Sequence, residues 1–217
     1  MLICGIEEAG RGPVIGPLVM CGVLIKEEDE DKLKNIKVKD SKLLTPNQRE
    51  RLYFKIKKIA KRYKLILLQP YEVDEALNSD SMNLNWLEAD NMAKIINELK
   101  PDKAYIDCPS NNIKKFVEYL KKKIEKKNID LVAEHKADVK YPVVSAASIL
   151  AKVTRDWEIE KIKKKIKQDF GSGYTSDPRT VKFLKENYEK YPDIFRKSWI
   201  SFKTVVNNKN QRKLEDF

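Results

Sequence analysis

The chain opens on a short apolar run, Leu2-Ile3-Cys4-Gly5-Ile6, that ends in two adjacent carboxylates, Glu7 and Glu8, and passes at once into Ala9-Gly10-Arg11-Gly12-Pro13. Such a run, closed by glycine and proline, reads as a strand buried in a sheet. The next apolar run, Pro17 to Ile25, is too close for a crossover helix, so the two strands are expected to be antiparallel neighbours. Two carboxylates at the end of a buried strand need a counter-charge, which a divalent cation held by oxygen ligands supplies. The glycines beside them allow close approach of backbone to a ligand.

The rest of the chain alternates in the manner of an α/β domain. Thr45-Pro46 reads as the N-cap and first turn of a helix through Tyr63, and Leu65 to Gln69 as a third strand stopped by Pro70. Helical spacing over Asn85 to Leu99 precedes a short strand, Lys103 to Asp107. An amphipathic segment from Ile113 to Lys127 follows, then a fifth strand, Ile129 to Ala133. Lys26 to Lys34 reads as a solvated excursion. From Val143 onward the pattern is helical, over Val143 to Phe170, Pro178 to Tyr188 and Trp199 to Val206. The expected division is an α/β core over 1–142, a helical part over 143–206 that completes the core and a substrate groove, and a flexible tail over 207–217.

Composition narrows the function. Across 217 residues the formal net charge is +11, which favours an anionic partner such as nucleic acid, although a lysine-rich solvated surface gives the same balance. Cys4, Cys21 and Cys108 are too few and too scattered for a disulfide framework or a zinc site. No apolar run approaches the ~20 residues of a membrane span, and no leader pattern is readable, so a cytoplasmic protein with no membrane association is expected. Gly10 to Gly16 is not a dinucleotide fingerprint, because its glycine spacing is wrong and it joins strand to strand.

Two further acids stand where the first pair needs them. Asp107 ends the fourth strand, and Asp138 lies just before the long helix. If the first and fourth strands are neighbours, Glu7, Glu8, Asp107 and Asp138 meet at one point, where they would repel unless metal neutralised them. His135, the one histidine, reads either as a general base or as a structural imidazole.

Five segments, GIEEAGRGPVIGP, KDSK, YIDCPS, HKADVKYPVVSAASILAKVTRD and GSGYTSDPRT, stand in the order found in type 2 ribonuclease H, and the chain resembles ribonuclease HII of the archaeal kind. That resemblance implies a ribonuclease H-like five-stranded mixed sheet flanked by helices, with a C-terminal helical appendage, in agreement with the five strands counted above. It also implies a two-metal Mg²⁺ or Mn²⁺ site formed by Glu7, Glu8, Asp107 and Asp138. By analogy with the wider fold, Glu7 would bridge both ions, Glu8 and Asp107 would hold the leaving-group ion, and Asp138 the nucleophile's ion. The family has aspartate where this chain has Glu7.

The implied reaction is endonucleolytic cleavage of the RNA strand of RNA/DNA hybrids, and of the 5′ side of ribonucleotides embedded in duplex DNA or at RNA–DNA junctions, giving 3′-hydroxyl and 5′-phosphate. Gly10, Arg11, Gly12 and Tyr174 would read the ribonucleotide, and Lys42 would contact phosphate. The basic stretch Arg196 to Lys213 would add to the groove or tail. The terminal Gln211, Leu214 and Phe217 resemble a shortened sliding-clamp-binding peptide on what is expected to be a monomer. Two rival readings stay open: another two-metal nuclease of the same fold, and a nucleic-acid-binding protein whose metal site has decayed, which Glu7 keeps in view.

Overall fold

The computed structural model describes residues 1–38 and 44–215, and of 208–215 the backbone alone. Five strands form one mixed sheet in the order β3-β2-β1-β4-β5. They are β1 (Leu2–Ala9), β2 (Leu18–Lys26), β3 (Arg62–Leu68), β4 (Lys103–Asp107) and β5 (Asp130–Glu134). β1 pairs antiparallel with β2, Glu7 opposite Cys21, and parallel with β4, Ile6 opposite Ile106. β4 in turn pairs parallel with β5. The helices are α1 (Glu30–Asn35), α2 (Pro46–Ile59), α3 (Pro70–Leu77), α4 (Leu84–Leu99), α5 (Ile113–Lys123), α6 (Ala137–Lys140), α7 (Pro142–Ile166), α8 (Pro178–Asn187) and α9 (Ile200–Glu215).

Local sequence accounts for most of these elements and for the places where they depart from expectation. α2 begins at the expected cap, with Thr45 and Gln48 forming a reciprocal capping box ahead of Pro46. It stops at Ile59 and not at Tyr63, because Ala60 turns extended and Tyr63 joins β3. Pro70 does end a strand, but it also opens α3, which the sequence reading left out; Gln69 and Glu72 cap that helix reciprocally. Glu27 to Asn35 is helical where a solvated excursion was expected, anchored by fully buried Leu33. α9 continues past Val206 to Glu215, so the backbone of most of the expected flexible tail is helical.

The chain gathers into two compact units that interleave along the sequence. The first comprises Met1–Ala9, Val19–Leu67 and Leu84–Thr154; the second comprises Gly10–Leu18, Leu68–Asn83 and Arg155–Phe217. In the first unit, β1 and β2 are almost wholly buried, with Ile3, Cys4, Ile6, Met20, Cys21 and Val23 at 1% exposure or less. Gly5 is required by packing: a Cβ there would lie 2.3 Å from the carbonyl carbon and oxygen of Val143, so the start of α7 rests directly on the strand backbone. The second unit has its own core of Val14, Ile15, Ile159, Phe170, Phe183, Leu184 and Phe195. Among the described residues no helix is long and apolar enough to cross a membrane.

Candidate metal centre and glycine loop

β1 runs three residues beyond the expected Ile6, and this carries Glu7 within the sheet to a place where it is 7% exposed. Because β1 and β4 are parallel and in register up to Ile6 and Ile106, the next position on each strand puts Glu7 beside Asp107. Asp138 arrives from α6, a single turn entered through Lys136 in a left-handed conformation at φ 57°. The first amide of that turn, Ala137 N–H, donates to Asp107 Oδ1 at 3.3 Å. Ligand oxygens of Glu7, Asp107 and Asp138 thereby come within 4.8 Å of one another.

Glu8 is not among those three. It is the next residue of β1 and is half-buried. Its charge acts on the Cys108 thiol, whose pKa is raised chiefly by burial and further by Asp107, Glu8 and Glu88. His135 is exposed, and its Nδ1–H donates to the Cys108 carbonyl at 3.0 Å, a contact that fits a structural imidazole.

α7 brings the compensating groups. Lys152 Nζ donates to Ser148 Oγ at 2.6 Å, and fully buried Ser148 hydrogen-bonds the Glu7 carboxylate. Burial pushes the Glu7 carboxyl up to about 7, the Lys152 charge opposes the rise, and Asp138 and Asp107 add to it. Oε2 of Glu7 is buried and has no hydrogen-bond partner. Three clustered carboxylates, two of them almost fully buried and one with an oxygen left over, suit a hard divalent cation that takes oxygen ligands.

The glycine loop belongs to the second unit, where it meets the GSGY segment. The amides of Val14 and Ile15 both donate to the Gly173 carbonyl, at 2.9 and 3.3 Å. Gly173 N–H donates to Thr180 Oγ1, which in turn donates to the Phe170 carbonyl. Asp177 accepts from the Ser172 amide and from Arg179, closing the turn around Tyr174. Tyr174 is 37% exposed, with the Arg155 guanidinium 5.1 Å from its ring centre and a hydrogen bond from Arg155 to the Ser172 carbonyl beneath it.

The loop glycines differ in what they require. Gly10 has φ 83°, and a Cβ on it would lie 2.7 Å from the Pro17 carbonyl oxygen, so the fold demands glycine there. Gly12 is exposed, and a Cβ on it would meet only the Tyr174 ring, at an ordinary 3.5 Å. Packing alone does not call for glycine at 12.

Arg196 corrects the sequence reading. It is not part of an exposed basic surface but 0% exposed, donating to the carbonyls of Gly16, Arg11 and Gly10 at 3.1, 3.1 and 2.7 Å. Trp199 stacks over it at 4.8 Å and donates its indole N–H to the Gly12 carbonyl at 3.2 Å. Neither residue was singled out from sequence for this task; the available signal was a tryptophan three residues after an arginine, next to buried Phe195. Lys42 and Phe217 lie outside the described residues, and of Gln211 and Leu214 only the helical backbone is described.

Comparison with known proteins agrees with this architecture. The family model for ribonuclease HII matches residues 4–202. Ribonuclease HII of Pyrococcus furiosus is 46% identical over 226 residues, covering 100% of this chain and 98% of the relative. The crystal structure of ribonuclease H2 from Pyrococcus horikoshii OT3 superposes with a TM-score of 0.87 at 45% identity, over 96% of this chain and 98% of that one. The structure of a PCNA:RNase HII complex from Archaeoglobus fulgidus superposes with a TM-score of 0.83 at 43% identity, over 92% and 95% of the two chains. The chain belongs to the ribonuclease HII family, and is thus a hydrolase, an endoribonuclease of RNA/DNA hybrids that depends on a divalent metal.

Proposed function

We propose that the protein cuts on the 5′ side of a ribonucleotide embedded in duplex DNA or placed at an RNA–DNA junction, in addition to the RNA strand of longer hybrids, and that it does so with two divalent cations, Mg²⁺ or Mn²⁺. The residues that would hold them are Glu7, Asp107 and Asp138, which the fold groups together, with Glu8, which the resemblance adds, as the fourth ligand. When bound, the cations supply the Lewis acidity for hydrolysis of the phosphodiester to a 3′-hydroxyl and a 5′-phosphate. Ser148 and Lys152 hold the Glu7 carboxylate, and the burial of Glu7 and Asp138 excludes water from the ligand oxygens.

The observation that carries the junction reading is the pairing of Gly12 with Tyr174. A glycine that packing does not need, beside a half-exposed aromatic ring, supports a place where a sugar edge comes against backbone and a 2′-hydroxyl can be told from hydrogen. Gly10, Arg11, Gly12 and Tyr174 are assigned to that reading, and Lys42 to a phosphate. The test compares a duplex with one embedded ribonucleotide, an all-DNA duplex and an RNA/DNA hybrid, each with Mg²⁺ or Mn²⁺. Cutting confined to the two ribose-containing substrates, 5′ to the single ribonucleotide, is expected; cutting of all-DNA would overturn the reading.

The Archaeoglobus complex supports a second partner. We propose that Gln211, Leu214 and Phe217 dock on a DNA sliding clamp through an apolar pocket. Titrating wild type and Phe217→Ala against the clamp checks this: weaker binding by the variant is expected, and equal binding by both sinks it.

A further inference from the structure

Four carbonyls of the glycine loop are held by two side chains, those of Arg196 and Trp199. The carbonyls of Gly10, Arg11 and Gly16 converge on the Arg196 guanidinium, and the Gly12 carbonyl accepts from Trp199. In a planar trans peptide the N–H points opposite to the C=O, and there are no cis bonds here. Fixing the carbonyls of Gly10 and Arg11 on Arg196 therefore aims the amides of Arg11 and Gly12 away from the guanidinium, and Gly12 is exposed with the Tyr174 ring beside it. Pro13 brings no N–H, so the donor pair ends there.

We propose that Arg196 and Trp199 are positioning residues for ribose recognition: they set the direction in which the Arg11 and Gly12 amides present themselves to a sugar oxygen, without touching substrate. Three features support this. Arg196 is fully buried, so its charge cannot serve a phosphate at the surface. Its three loop contacts are all to main-chain oxygens, which a fork of fixed geometry reaches and a single ammonium does not. The segment is tied to the loop at its backbone as well, by Arg196 N–H to the Val14 carbonyl and Gly16 N–H to the Ile194 carbonyl. Removing the guanidinium therefore changes the aim of the loop more than its attachment.

This inference rests on the proposed reading that the loop recognises the sugar, and the test separates the two. The Mg²⁺-supported cleavage assay gives KM for the single-ribonucleotide duplex, and an all-DNA duplex of the same sequence, used as competitor, gives Ki. Wild type with KM equal to Ki would overturn the sugar reading itself. With a wild-type preference in hand, Trp199→Phe keeps a ring over Arg196 and deletes only the donor to Gly12. It is expected to raise KM about threefold, and Arg196→Lys about tenfold, as befits the loss of one hydrogen bond and of several. Ki for all-DNA and the Trp199→Phe melting temperature should stay at wild-type values. An unchanged KM in both variants, or KM and Ki rising together, would overturn the positioning role.

Discussion

Ser148 and Lys152 lie one helical turn apart on α7, joined by a 2.6 Å hydrogen bond, and together they reach the carboxylate of Glu7. The direction of the bonds is set by chemistry. The ammonium can only donate, so the serine accepts from it and gives its own proton to Glu7. A cation is thus relayed through a hydroxyl to the acid that is grouped with Asp107 and Asp138.

Lys152→Met removes a charge that opposes the cluster's repulsion at Glu7. The metal-free protein should lose roughly 1–3 kcal/mol of stability, and Mg²⁺ or Mn²⁺ should stabilise the variant more than wild type. Thermal melts with EDTA and with metal check it; equal metal-induced shifts in both proteins would count against the relay.

Glu7→Asp shortens the side chain by one methylene and moves the carboxylate by about an ångström, a displacement that can change a rate by roughly 10²-fold. The resemblance implies aspartate as the family's residue, so cleavage by the variant should be faster, by about ten- to a hundredfold. Single-turnover rates on the one-ribonucleotide duplex decide the matter, and a slower variant would show that Ser148 has adapted the site to glutamate.

Gly5→Ala places a methyl 2.3 Å from the backbone of Val143. Backbone cannot swing aside as a side chain can, so the cost should be about 1–3 kcal/mol, at the upper end of that range. Since α7 carries Ser148 and Lys152, cleavage should fall along with the denaturation midpoint. A stable variant with normal activity would contradict the close approach.

Asp177 gives a pH-dependent stability. Its carboxyl is held well below the usual 3.8, first by the Arg179 side chain and then by the Ser172 amide. In the unfolded chain it takes up a proton near 3.8, whereas in the fold it does so only at lower pH. The stabilisation is therefore complete above that value and is lost as the pH falls through the folded one. Urea midpoints at pH 7 and pH 3 should differ less for Asp177→Asn than for wild type.

Much of this was legible in the sequence because the relevant signals are short-range. Glu7 and Asp107 could be placed since each ends an apolar run, and the Thr45-Pro46 cap of α2 names its own position. What escaped depended on distant partners. Arg196 sits in a basic stretch where a buried guanidinium looks like its solvated neighbours, and only the contacts with Gly10, Arg11 and Gly16 tell them apart. α6 escaped because four residues carry no period, and its entry at Lys136 needs a positive φ that lysine does not advertise. That Glu7, and not Glu8, joins Asp107 and Asp138 in the tight group of ligand oxygens also escaped, since two adjacent acids look alike until β1 is known to run on to Ala9.

The bonds from Arg196 to the loop span up to 186 residues of sequence. Translation delivers Gly10 to Gly16 almost first and Arg196 and Trp199 almost last, and domains settle as units once their segments exist. A ribosome-bound fragment can therefore assemble the sheet and its acids long before the ties from Arg196 and Trp199 to the glycine loop are in place. The loop's geometry is completed at the end of synthesis, and a chain cut short before Phe195 would carry the acids without it.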